Sequence, residues 1–194
     1  MHPMNGCQRL AITLAVLIAA GAACAQGVLA PAAPVPENAL ATAVANLGLT
    51  RCQSALERLS SLGVQGARAN DVLIDWDRKR PATSSVFSLI GIEYANGGGA
   101  MTVTSVPEAD GTCSLSAERI TVAPYTCASV AQQELRGTQR TQLLSNFAVH
   151  TDPKDRTSSV SLIDSPPGCL VIRRYVEFGW KEPAAGGALD AVRK

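Results

Sequence analysis

The chain has 194 residues, of which 46% are hydrophobic, 17% charged and 4% aromatic, and its formal net charge is +1. That length fits one domain with tails, and the hydrophobic fraction excludes a disordered chain. Near-zero charge with both signs dispersed argues against binding nucleic acid by phosphate neutralisation, and so few aromatics cannot build a base-stacking platform.

The chain opens on an address. Leu10 to Ala25 reads LAITLAVLIAAGAACA, an uncharged apolar run with Arg9 before it and the small-x-small triplet Ala23-Cys24-Ala25 at its end. This is the pattern of a secretory signal peptide over residues 1–25, cleaved before Gln26. The run falls short of the roughly 20 apolar residues of a membrane span. A lipid anchor on Cys24 is the alternative, since Gly21-Ala22-Ala23 precedes it, but Gly21 stands where such signals usually carry Leu, Val or Ile. The expected destination is the periplasm or the cell exterior. Cleavage removes one basic residue, Arg9, and no acid, leaving a formally neutral mature chain.

Residues 26–36 are Ala/Pro-rich and predict an extended leader. From Asn38 to Leu62 the apolar residues Leu40, Val44, Leu47, Cys52, Leu56 and Leu59 recur at helical spacing. They predict either one long helix or two helices meeting near Gly48, the second opened by a Thr50/Gln53 capping box. Short strands follow over 72–76, 86–94, 101–106 and from Cys113 to Ala123, with Asn96-Gly97-Gly98-Gly99 as a hairpin loop. Cys127 to Leu135 predicts a second, shorter helix. Strands over 143–149, 158–163 and 169–176 complete the pattern, joined by Asp152-Pro153-Lys154-Asp155 and Ser165-Pro166-Pro167-Gly168. Residues 182–194 carry little core material and predict a flexible tail. The fold class is α+β: one domain over residues 37–181, with the helices packed on one face of a mainly antiparallel, curved sheet. Two runs of three strands suggest a duplication, but no residues align to support it.

Four cysteines remain in the mature chain, Cys52, Cys113, Cys127 and Cys169, and an even number in an exported protein predicts two disulfides. No two of them lie within four residues of each other and only His150 remains as histidine, so metal-ligand spacing is absent and no cofactor is implied. An extended strand from Cys113 to Ala123 spans about 33 Å, and four further residues return at most about 14 Å. A bridge needs Cα atoms within about 7 Å, which disfavours Cys113–Cys127. The preferred pairing is Cys52–Cys127 with Cys113–Cys169; the other is Cys52–Cys113 with Cys127–Cys169.

His150 and Asp152 share one face of a strand and could form a general-base pair, but no nucleophile motif such as G-x-S-x-G accompanies them. The plainer reading is a histidine at the end of a strand. Asp71, Asp75 and Asp77 lack calcium-loop spacing and read as a charged outer strand face. Gly97-Gly98-Gly99 leads into a strand rather than a helix and so does not cradle phosphate. Trp76 and Trp180 read as packing residues. Arg78-Lys79-Arg80 is the best charged-contact candidate, with Arg173-Arg174 a weaker one. The expectation is an exported, non-catalytic binding protein, such as an inhibitor, an immunity-type protein or an envelope accessory. Its partner is another protein or an envelope component. A hydrolase using His150 and a lipid-anchored structural envelope component are the alternatives.

Overall fold

The computed structural model describes residues 37–182. The expected signal segment with Cys7, Cys24 and the cleavage point before Gln26 lies outside the described residues, as do the leader over 26–36 and all of the tail but Glu182.

The N-terminal helical stretch is two helices, α1 (Ala39–Asn46) and α2 (Gln53–Gly63). Asn38 caps α1 by accepting from the Ala41 amide at 3.2 Å, and its side-chain amide donates to Ser60 Oγ at 2.8 Å, fixing α1 against α2. Leu40 and Val44 are the buried face of α1. The break that ends a single long helix is set by the left-handed backbone of Gly48 (φ +67°) and Cys52 (φ 60°). Cys52, not Thr50, is the N-cap of α2, with no side-chain hydrogen bond, so the Thr50/Gln53 capping box does not form. Ala55, Leu56, Leu59 and Ser60 turn one stripe of α2 inward. At its end Gly63 lies against the sheet so closely that a Cβ would sit 1.9 Å from Met101 Sδ.

Four strands follow as an antiparallel meander: β1 (Ala69–Trp76), β2 (Val86–Tyr94), β3 (Gly97–Pro107) and β4 (Cys113–Ala123). Then come the third helix, α3 (Cys127–Glu134), and a second meander, β5 (Gln139–Leu144), β6 (Phe147–Asp152), β7 (Asp155–Ser165) and β8 (Gly168–Trp180). All eight strands form one antiparallel sheet in the order β1-β2-β3-β4-β8-β7-β6-β5. The stretch read as one strand over 143–149 is therefore a hairpin turning at Ser145-Asn146. Every residue of β5 is exposed, so an edge strand without inward alternation left no periodic signal. Likewise the first hairpin turns at Ala95-Asn96, and Gly97, Gly98 and Gly99 already pair with β2.

The helices occupy one face: α1 lies over β1 and β2, α2 over β3 and β4, and α3 over β7 and β8. Two apolar cores lie beneath them. The larger gathers Leu40, Leu56, Val86, Ile90, Val103 and Leu115; the smaller gathers Val130, Leu135, Leu162 and Val171. The opposite sheet face lacks a helical cover among the described residues and exposes Leu73, Phe87 and Leu89, with Leu73 paired directly to Leu89.

The disulfides are Cys52–Cys113 and Cys127–Cys169, with Cα atoms 6.1 and 4.9 Å apart. This corrects the preferred pairing. Each meander carries its fourth strand back beneath its own helix, so each bridge closes within one half instead of joining helix to helix and strand to strand. The halves share one plan: a cysteine at the start of a helix, four antiparallel strands, and a second cysteine at the start of the fourth. The residue step that carries Cys113 to Cys169 also carries Glu118 to Arg174, and those two residues are cross-strand partners. β4 and β8 thus hold corresponding places in the two halves and pair antiparallel at the seam.

Candidate binding site

One row of side chains crosses the helix-facing side of the sheet. In register it runs Val72, Ile90, Met101, Arg119, Arg173, Val160, His150, Arg140. Its middle pair sits at the seam, between the two cores, where α2 and α3 leave the sheet open. Arg119 and Arg173 stand directly opposite each other, a like-charge pairing that costs stability in a sheet. Arg173 is relieved by an ion pair with Glu134 on α3. Arg119 has no ion pair among the described residues; its guanidinium lies 5.7 Å from the centroid of the Tyr94 ring. Its Nε is buried with no hydrogen-bond partner.

Beside the two arginines is an open groove of about 180 Å³, floored by Leu59, Met101 and Ala117 and edged by Arg58, Leu62 and Tyr175. Leu62 is 60% exposed despite its position on the α2 wall. Arg58 Nη2 donates to Tyr175 Oη at 3.3 Å and approaches Glu177 Oε2 at 3.5 Å, while Tyr175 Oη donates to the Glu177 carboxylate. Burial, then the hydrogen bond to Glu177, raises the Tyr175 hydroxyl pKa above its ordinary value, keeping it a neutral donor. The groove thus combines an apolar floor with cationic edges, and chemically it suits a carboxylate beside an apolar group.

The residues singled out from the sequence lie elsewhere. Arg78 stacks over the Trp76 ring at 5.3 Å, and Arg80 pairs with Asp77 at 3.0 Å. The Lys79 amide donates to Asp77 Oδ1 at 2.9 Å. That backbone bond, followed by the Arg80 side chain, holds the Asp77 carboxyl below the usual range. Two of the three cations are thus engaged within their own turn, leaving the Lys79 ammonium as the freest. Asp71 and Asp75 flank Leu73 on the outer face of edge strand β1, whereas Asp77 lies beyond the end of the strand. His150 is buried, and its Nδ1 lies 3.1 Å from Thr138 Oγ1. Asp152 turns away to accept from the Lys154 amide at 2.9 Å. Arg173 and Arg174 point to opposite faces, the latter pairing with Glu118 at 3.2 Å. Neither Arg119 nor Tyr175 carried a sequence signal, because a lone arginine on a strand gains meaning only once its cross-strand neighbour is known.

No family model matches the chain, and neither the curated proteins nor the solved structures contain a match. Among the described residues, no helix is long and apolar enough to cross a membrane.

Proposed function

We propose that this is an exported, non-catalytic binding domain that anchors a partner protein through the groove at the β4–β8 seam. The N-terminal export pattern and the two disulfides favour a destination outside the cytoplasm. The observation that carries the reading is Arg119, held opposite a second arginine above an apolar floor with its Nε buried and unpartnered. A sheet keeps such an arrangement at a cost in stability, and an incoming carboxylate offsets that cost. A groove of about 180 Å³ is smaller than the usual small-ligand pocket and fits one or two anchoring side chains. The partner segment is acidic, with an apolar side chain next to its carboxylate.

The test is a crosslinked pull-down from the native cell, with the tagged chain exported by its own N-terminal segment. Wild type is compared with Arg119→Ala and Leu62→Glu in the groove, and with Leu89→Lys on the opposite sheet face. The reading expects one dominant stoichiometric partner that the groove variants lose and Leu89→Lys retains. Background alone from wild type, or a partner lost only by Leu89→Lys, overturns it.

A further inference from the structure

A second site lies in the other half of the sheet, where α3 leaves the helix-facing side of β5 and β6 open. There Arg140, Ala148, His150, Leu162 and Asp164 share one sheet face and line a cavity of about 290 Å³ beside the first turn of α3. His150 is only 5% exposed. Thr138 Oγ1 lies 2.7 Å from Leu135 O and 3.1 Å from His150 Nδ1; with its single proton donated to the carbonyl, it accepts from an Nδ1–H. Nε2 is then a bare lone pair, and it is buried with no partner. Burial, reinforced by the Arg140 charge, lowers the imidazole pKa and keeps the ring neutral.

A buried acceptor without a protein donor is satisfied by a water or by a ligand that supplies an N–H. The same cavity carries one cation and one anion that do not neutralise each other: Arg140 bonds only to the Gln142 side chain, and Asp164 forms no ion pair among the described residues. A molecule matching this set has a carboxylate for Arg140 and a protonated amine for Asp164, with an N–H left for the imidazole. We propose that this cavity binds a small zwitterion of the α-amino acid class. Its volume suits a ligand of that size, at the lower edge of small-molecule pockets. This site is separate from the seam groove and stands whether or not the groove takes a partner.

The experiment is long-range proton–nitrogen NMR of the imidazole in the full chain, where His150 is the one histidine besides His2. The unliganded protein is expected to show the Nδ1–H tautomer with a lone-pair Nε2. Titration with free amino acids to about 10 mM is expected to shift the Nε2 resonance, as a weak complex in that range would. N-acetyl amino acids, which lack the ammonium, and amino acid amides, which lack the carboxylate, are each expected to bind about tenfold more weakly or worse, since each loses a charged hydrogen bond. The exposed substitutions Arg140→Gln and Asp164→Asn should abolish the preference for carboxylate and for ammonium respectively while leaving the fold intact. An Nε2–H tautomer in the free protein, no shift with any amino acid, or equal binding of the blocked derivatives would overturn the proposal.

Discussion

Removing the two disulfides one at a time should cost similar stability but loosen different parts of the sheet. The bridges close loops with sequence separations of 61 and 42 residues. The chain-entropy relation gives about 4.3 kcal/mol for the longer loop and about 3.9 kcal/mol for the shorter, so on this ground alone they are nearly equal. Their surroundings are not equal. Cys52–Cys113 is embedded in the larger core, where Leu40, Leu56, Val86, Ile90 and Val103 are essentially inaccessible. Cys127–Cys169 forms the centre of the small core, with Val130, Leu135, Leu162 and Val171 about it. A paired Cys52→Ala and Cys113→Ala variant should lower the urea midpoint by about 2 M and retain one cooperative transition, taking m near 2 kcal/mol/M. The corresponding Cys127→Ala and Cys169→Ala variant should lose a similar amount. In it the amides of α3 and β5 to β7 should lose hydrogen-exchange protection before those of β2 to β4. A midpoint change below about 0.5 M in the second variant, or equal protection across both halves, would refute the claim that its bridge organises the smaller core.

The parts of this fold that could be read from sequence are those with a strong period or a strong breaker. Leu40, Val44, Leu56 and Leu59 marked the helices because burial selects one helical stripe, and Gly48 marked the break because it takes a left-handed backbone. Val86 to Tyr94 reads as a strand from its β-branched and aromatic residues rather than from its period, since burial alternates along β2 while Phe87 and Leu89 lie on the exposed face and Ser88 on the buried one. The hairpin of β5 and β6 reads as one strand in the sequence because Gln139 to Leu144 has no buried side to impose alternation. The geometric exclusion of Cys113–Cys127 agrees with the structure, since Cys113 to Ala123 is one extended strand. Choosing between the other two pairings needed the topology, because only the return of each fourth strand beneath its own helix decides it. The seam arginines were invisible for the same reason: Arg119 and Arg173 are far apart in sequence and become neighbours only through the β4–β8 pairing.

That pairing explains where the two open sites fall. Each half has helical cover over part of its meander, and each cover stops short of a boundary: α2 and α3 at the seam, and α3 before the β5 edge. Apolar residues left open at those boundaries would invite aggregation, so the sheet places long polar residues there instead. Arg119 and Arg173 stand at the first boundary, Arg140 and His150 at the second, and all four lie on the same cross-strand row. Solubility alone accounts for charged tips in water. It does not account for a buried Arg119 Nε or a buried His150 Nε2, each without a partner. Ser54 Oγ and Ser105 Oγ are buried without a partner as well, so it is the location of Arg119 and His150 beside open concavities, and not the missing partner alone, that motivates the two proposals.

Two further outcomes can be measured on stability alone. Gly63→Ala places a Cβ against Met101 and should cost about 1–3 kcal/mol; in a Met101→Ala background, where that contact is gone, the same substitution should cost far less, and equal costs in a urea double-mutant cycle would show that the contact is not the cause. The second outcome is a pH dependence from His150, whose folded pKa is lowered by burial first and by Arg140 second. The unfolded chain then binds a proton near pH 6.5 while the folded chain does not, so stability falls as pH drops from about 7 toward 5. The carboxyls of Asp77, Asp110 and Asp155 are held low by hydrogen bonds from neighbouring turn residues, and their contributions are lost only in the more acidic carboxylate range. The window between pH 5 and 7 therefore isolates the histidine. Urea midpoints across it should decline for the wild type and stay flat for His150→Gln. A wild type that gains stability on acidification, or a His150→Gln variant with an undiminished slope, would mean that the imidazole is not held neutral by burial.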